Sequence, residues 1–319
     1  MNSRERILAA LEGKKPDRIP IMEIAIWPET IERWEKEGLP SGVSPQDYFE
    51  LDKVEFFTFD GSLKLEEKTI KEDEESKTFI DGDGCTYKAW KNKQGAPLLI
   101  ESSIKAPEDW EECRLNLKPD FARFEKMDRE PIFGTIINES QENRYKRIKQ
   151  EDAFKVLVPI ESCWYYLRLL GEEEALINMA ADPEFVERII SDYTEFNIAM
   201  IEEIYEKGYV FDAIWVFSDL CYKNGMLFSP KFYKDRVLPY HKKFFDFCKT
   251  KGMKIIYHCD GYLKELLPLL IEAGVDCIQP LEVRAGNDVV KYSNLYPDKI
   301  SFIGNINADI LASDKEKIL

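Results

Sequence analysis

Short apolar runs alternate with helical stretches along most of this chain, and one stretch of paired hairpins interrupts the rhythm. Residues 3–12 read as a short helix, with Ser3 as its N-cap and Gly13 as its stop. Lys15-Pro-Asp-Arg18 then turns the chain into Ile19-Pro-Ile-Met-Glu-Ile-Ala-Ile26, an apolar run broken by Glu23 and read as the first strand. Helices follow at Thr30 to Lys36 and from Pro45, and Lys53-Val-Glu-Phe-Phe-Thr-Phe59 is the second strand, ending at Asp60-Gly61. Across 62–105, alternating segments are separated by Asp81-Gly-Asp-Gly84 and Gln94-Gly-Ala-Pro97, which predicts an antiparallel β-hairpin insertion. The acidic turn lacks the ligand spacing of a calcium loop.

From residue 153 the alternation becomes regular. Strands are expected at 154–160, 212–217, 254–257, 275–279 and 300–303, with helices at 165–180, 183–206 and 230–251 among them. Asp182-Pro-Glu184 supplies the second of those helices with an N-cap and a proline at its first position. Strands alternating with helices imply α/β class and a parallel sheet with right-handed crossovers, here a distorted TIM-type (β/α)8 barrel spanning 1–319 as one domain. Seven strands are one short of eight, so either an eighth unit lies beyond Leu319 or the barrel stays open. Open edges need a cover, and a further segment, a helix or a second copy in a homo-oligomer would each provide one.

The stretch Lys254-Ile-Ile-Tyr-His-Cys-Asp-Gly261 concentrates the chemistry. Strand side chains alternate, so His258 and Asp260 face one way and Cys259 the other. Ligands bind at the carboxyl ends of strands in parallel α/β proteins. The residues at those ends are Glu23, Asp60, Glu161, Asp219, His258 with Asp260, Glu282 and Asn305, and a barrel would converge them on one mouth. Helix capping accounts for any single acid among them, and a structural histidine beside a capping Asp is the plain alternative at 258–260. A His with two carboxylates is also a ligand set for a divalent metal, zinc foremost. On that reading His258 and Asp260 bind the ion at the mouth of the largest pocket, completed by Glu161, Asp219 or Glu282, while Trp164, Phe217 and Tyr222 line an apolar substrate pocket and Asn305 stands at the last strand end. Without a metal, Asp60 or Asp219 could bridge hydrogen-bond donors such as pyrrole N–H groups while protons move at carbon.

Composition narrows the partners. A hydrophobic content of 44% suits a globular fold, and no run of about 18 apolar residues predicts a membrane span. The charged N-terminus, Met-Asn-Ser-Arg-Glu-Arg-Ile, is unlike a signal peptide, and seven cysteines without a Cys-x-x-Cys pair argue for reduced thiols; a cytoplasmic location is expected. The net charge of −16 argues against a nucleic-acid partner and for a small-molecule substrate.

Several stretches resemble the uroporphyrinogen decarboxylase (URO-D) superfamily, which includes the cobalamin-dependent methyltransferases. They are Arg4-Glu-Arg-Ile-Leu-Ala-Ala-Leu-Glu-Gly-Lys-Lys-Pro-Asp-Arg-Ile-Pro20, Asp182-Pro-Glu-Phe-Val186, Asp219-Leu220 with Ser229-Pro230, His258-Cys-Asp-Gly261, Leu270-Ile-Glu-Ala-Gly-Val-Asp276 and Gly304-Asn-Ile306. The resemblance implies a distorted TIM-type barrel. Decarboxylases of the superfamily carry an arginine-rich segment after the first strand that grips substrate carboxylates, whereas this chain has Glu23-Ile-Ala-Ile-Trp-Pro-Glu-Thr30. Thiol-alkylating relatives bind zinc through His-x-Cys and a later Cys; Asp260 stands where the first Cys would fall. The resemblance therefore implies a methyltransferase with a His and carboxylate zinc site, moving a methyl group between a small methylated compound and a corrinoid carried by a partner protein. Decarboxylation of a tetrapyrrole acid around Asp60, and a non-catalytic corrinoid- or tetrapyrrole-binding scaffold, are the other readings.

Overall fold

Six of the seven expected core strands build one parallel sheet in a computed structural model that describes residues 1–92, 95–129, 139–313 and 315–318. In chain order the strands are β1 (Val54–Phe57), β2 (Lys68–Glu72), β3 (Ser76–Ile80), β4 (Thr86–Trp90), β5 (Leu98–Glu101), β6 (Phe154–Leu157), β7 (Ala213–Phe217), β8 (Cys221–Tyr222), β9 (Gly225–Met226), β10 (Lys254–His258), β11 (Cys277–Gln279) and β12 (Ser301–Phe302). The parallel sheet has the order β1-β6-β7-β10-β11-β12, so each core strand pairs with the next one in the chain. Successive right-handed crossovers produce that order, and it is the order of a TIM-type barrel.

Alternation divides the core in two. Phe56, Val156, Trp215, Ile256 and Cys277 point into the barrel, while their neighbours Phe57, Leu157, Val216, Tyr257 and Ile278 pack under the helices. Both faces are covered, which is why these strands read as nearly continuous apolar runs. The helix Ser3–Leu11 adds Ile7 and Leu11 to the interior cluster. It is tied to the amino ends of the strands: Lys53 N–H donates to Ser3 Oγ (3.0 Å), Arg4 Nε to Asp212 (2.8 Å), and Ser301 Oγ to the Leu11 carbonyl (3.2 Å). The amino end of the barrel is thereby plugged, and the carboxyl end is left for ligands. The N-cap is Asn2 rather than Ser3: Asn2 and Glu5 form a reciprocal capping box, which leaves the Ser3 hydroxyl free to accept from Lys53.

The expected strand at 19–26 forms no ladder. Met22 and Ile24 pack against the interior cluster, as alternate residues of a strand would, but Ile19 and Ile21 are exposed. Pro20 has no N–H to donate, and Asp52 takes the place of a neighbouring strand: its carboxylate accepts from Ile21 N–H (2.9 Å) and its own N–H donates to the Ile21 carbonyl (2.7 Å). Asp52 is in turn held by Arg6 and Arg18. Among the described residues no ladder joins β12 to β1, so the sheet curls without closing.

The insertion is a four-stranded antiparallel sheet, β2-β3-β4-β5. Of its second expected turn, Gln94 lies outside the described residues. In the acidic turn, Asp81 accepts from Asp83 and Cys85 N–H (both 3.0 Å), and Asp83 accepts from Leu63 N–H and Tyr165 O–H (both 2.9 Å). The turn acids thus dock the insertion onto the barrel. Two expected helices are divided: Gly171, at φ 81°, separates Ser162–Leu170 from Glu172–Ala181, and a wide turn at Tyr233–Val237 precedes Leu238–Thr250, where Pro239 cannot donate to the preceding turn. Among the described residues no helix is long and apolar enough to cross a membrane.

Candidate metal centre at the barrel mouth

Strands β7 and β10 end side by side, with Phe217 in register with His258, and the residues that follow them meet. His258 Nε2 lies 3.4 Å from an Asp219 carboxylate oxygen and 4.0 Å from one of Asp260. One donor atom from each of Asp219, His258 and Asp260 falls within 4.8 Å of the others. Two ligands each about 2.0–2.2 Å from one zinc ion are at most about 4.4 Å apart, so the two distances to Nε2 suit a shared ion. Asp260 N–H donates to Asp219 (3.0 Å), and Gly261 N–H donates to Glu282 (3.1 Å). Gly261 is required here: its φ is +84°, and a Cβ would come within 2.7 Å of the Tyr222 backbone.

The imidazole is oriented from its other side. Gln279, in register with His258 on β11, places its carboxamide oxygen against His258 Nδ1. An acceptor there keeps the proton on Nδ1 and presents the Nε2 lone pair to the carboxylates. The Phe217 ring covers one side, with centroids 4.8 Å apart. Partial withdrawal from water raises the Asp260 carboxyl above its ordinary value; His258 opposes this, and the Asp219 and Glu282 carboxylates add to it. Cys259 is fully buried in the outer cluster, on the opposite face from His258.

Glu161, expected as a ligand, has both oxygens occupied elsewhere. One accepts from Ser162 Oγ (3.1 Å), Cys163 N–H (2.7 Å) and His241 Nε2, the other from Trp164 N–H (2.8 Å) and Ser218 Oγ (2.6 Å). It caps the helix Ser162–Leu170 and is fully buried with His241, whose Nδ1 meets Tyr233 O–H at 2.7 Å. Burial pushes its carboxyl up, but the His241 ring and the other donors pull it down to about 2.

The remaining expected residues divide. Glu282 borders the cluster through Gly261, outside the three-residue group. Asp60 binds Lys64 and accepts from Ser62 N–H (2.9 Å); burial raises its carboxyl, and these partners more than compensate, leaving it below its ordinary value. Asn305 is spent on backbone: at φ 58° its amide donates to the Leu281 and Asn287 carbonyls (2.9 and 3.0 Å) and accepts from Val289 N–H (3.2 Å). Tyr222 is exposed on the β8–β9 hairpin. A cavity of about 1520 Å³ lies between the insertion and the helix Ser162–Leu170, lined by Phe79, Tyr87, Leu99, Trp164 and Arg168 among others. None of Asp219, His258 and Asp260 lines it. Gln279, Ser218 and His241 were not expected. Gln279 could have been found as the in-register neighbour of His258, and His241 as a polar residue on the apolar stripe of Leu238, Phe244, Phe245 and Cys248.

Residues 165–319 match the family model of Uroporphyrinogen decarboxylase (URO-D), which bears out the resemblance seen in the sequence. Among solved structures, a methyltransferase from Methanosarcina mazei is similar over 96% of this chain and 83% of its own, with a TM-score of 0.59 at 14% identity. At that identity the likeness is one of fold. No curated protein sequence matches the chain.

Proposed function

We propose that this chain is a metal-dependent methyltransferase that moves a methyl group between a small methylated compound, such as a methyl ether, and the cobalt of a corrinoid protein. The observation that carries the reading is the Asp219, His258 and Asp260 cluster at adjoining strand ends, with Gln279 turning the His258 Nε2 lone pair toward the acids. These three residues would hold zinc, which there supplies Lewis acidity toward a leaving oxygen. Asp260 N–H keeps Asp219 aimed at the cluster, Gln279 sets the imidazole tautomer, and Phe217 excludes water from one side of the ring. The fold similarity to a methyltransferase supports the same reading. A polycarboxylate substrate would meet Asp219, Asp260 and Glu282 at the rim, which disfavours decarboxylation of a tetrapyrrole acid.

The test has two stages. Protein purified without added metal should carry or take up one zinc per chain at micromolar concentration. The zinc-loaded protein, given cob(I)alamin and a methoxyarene, should form methylcobalamin, read by absorbance. Absence of zinc binding would remove the chemical centre of the reading; zinc binding without methyl transfer from methyl ethers, amines or thioethers would leave a metal site but not this reaction.

A further inference from the structure

The buried side chains behind the mouth form a chain that ends at Ser218, next in sequence to Asp219 of the cluster. Tyr233 O–H meets His241 Nδ1, and His241 Nε2 meets one oxygen of Glu161. The other oxygen accepts from Ser218 Oγ at 2.6 Å. Ser218 is fully buried and pinned three times: its hydroxyl on Glu161, its N–H on the His258 carbonyl (3.0 Å), and its carbonyl on Leu220 N–H (2.9 Å). It lies between Phe217, whose ring touches His258, and Asp219, whose carboxylate accepts from Asp260 N–H. Capping a nine-residue helix needs only the Cys163 and Trp164 N–H groups, and an Asp or Ser would serve as well. A longer, fully buried carboxylate with a histidine behind it does more than capping requires, and the extra reach is directed at Ser218.

We propose that Glu161, with His241 behind it, is a positioning residue for the metal cluster and acts through Ser218 to hold Asp219 where it can share an ion with His258 and Asp260. Outer hydrogen bonds of this kind orient ligands without touching the metal, and losing one typically weakens metal affinity about 10–100-fold. Here the link ties the carboxyl end of β7, which delivers Asp219, to the residue that follows β6, and the Ser218 N–H bond to the His258 carbonyl carries that anchorage on to β10, which delivers the other two donors. The inference rests on the metal reading of the cluster.

The experiment compares Ser218→Ala with Thr194→Val. Thr194 is equally buried, and its hydroxyl donates to Ser162 Oγ (3.1 Å) on the far side of the same carboxylate, away from Asp219. Zinc affinity is measured by competition with a chelator, the visible spectrum of the cobalt(II)-substituted protein reports ligand geometry, and thermal unfolding of the metal-free variants reports folding. Ser218→Ala should bind zinc about 10–100-fold more weakly with an altered cobalt spectrum. Thr194→Val should lose stability but keep wild-type affinity and spectrum. Glu161→Gln, which keeps an oxygen for Ser218, should fall between them in affinity. Equal affinity in Ser218→Ala and wild type overturns the positioning role while leaving the metal site standing. Equal weakening in Ser218→Ala and Thr194→Val overturns it in favour of general loosening. No zinc binding by wild type removes the metal reading and this inference with it.

Discussion

Both histidines of the chain sit beside carboxylates, and the two sites behave as opposites. His241 and Glu161 are each about 1% exposed, and every polar atom of the pair faces a protein partner. His258 is mostly covered, but Asp219 and Asp260 are about 36% and 55% exposed in their side chains, and Nε2 stands 3.4 Å and 4.0 Å from them without a short hydrogen bond. A buried His–carboxylate pair is already complete and has nothing to offer a ligand. An open one at strand ends keeps acceptor atoms that no protein donor has taken up. Residue type does not distinguish the two; solvent access and the number of donors already spent do.

The largest expected effect tests the closed site. Glu161→Ala strands His241 and Ser218 in the core and should lower unfolding free energy by about 3–5 kcal/mol in urea denaturation, as loss of one partner of a buried pair does. His258→Ala should cost far less in the absence of metal. If the two variants are equally destabilised, the contrast between a structural and an open site fails.

Next comes the open site itself. His258→Ala should lower zinc affinity by more than about 100-fold, and Asp260→Asn by about 10–100-fold, with unfolding nearly unchanged. Affinity that persists in both variants, at unchanged folding, would move the site elsewhere.

A third, intermediate effect sharpens the role of the His241 ring beside Glu161. Asp83 is also a buried carboxylate, but it has Asp81 beside it where Glu161 has His241. Burial, with Asp81 adding, pushes its carboxyl up to about 6, while Glu161 is held down at about 2. The signs are therefore opposite. Glu161 contributes stability above its unfolded pKa of about 4.3, lost as pH falls toward 2; Asp83 contributes stability fully present below about 3.9 and lost as pH rises through 6. Lowering the pH from 7 to 5 should thus relieve a cost of about 1 kcal/mol at Asp83. Asp83→Asn should remove that part of the pH dependence in a series of urea titrations. A variant with the wild-type pH profile would show that Asp83 does not titrate there.

The smallest effect is at Cys259, between two of the proposed ligands in sequence but on the other face of β10. Cys259→Ser should leave zinc affinity within a few-fold and act through packing alone. Loss of zinc binding in this variant, with Asp260→Ala unaffected, would mean that the register at the strand end is shifted by one residue.

Much of this protein was decided locally and is readable in the chain. The core strands after residue 53 are short apolar runs bounded by turns, the insertion follows from its glycine turns, and the placement of His258 opposite Cys259 follows from the two-residue period of a strand. Three features needed the tertiary structure. Residues 19–26 have the apolar pattern of a strand, but a ladder requires a neighbour, and Asp52 supplies only one residue's worth of it. Glu161, Asn305 and Asp219 look alike as polar residues at strand ends, yet the first is consumed by His241 and Ser218 and the second by backbone carbonyls, while the third stays open beside His258. Gln279 became part of the site only through the parallel pairing of β10 with β11, which brings together residues 21 positions apart. Side-chain direction is a property of a few consecutive residues, whereas availability to a ligand depends on what distant segments have already donated, and only folding sets that.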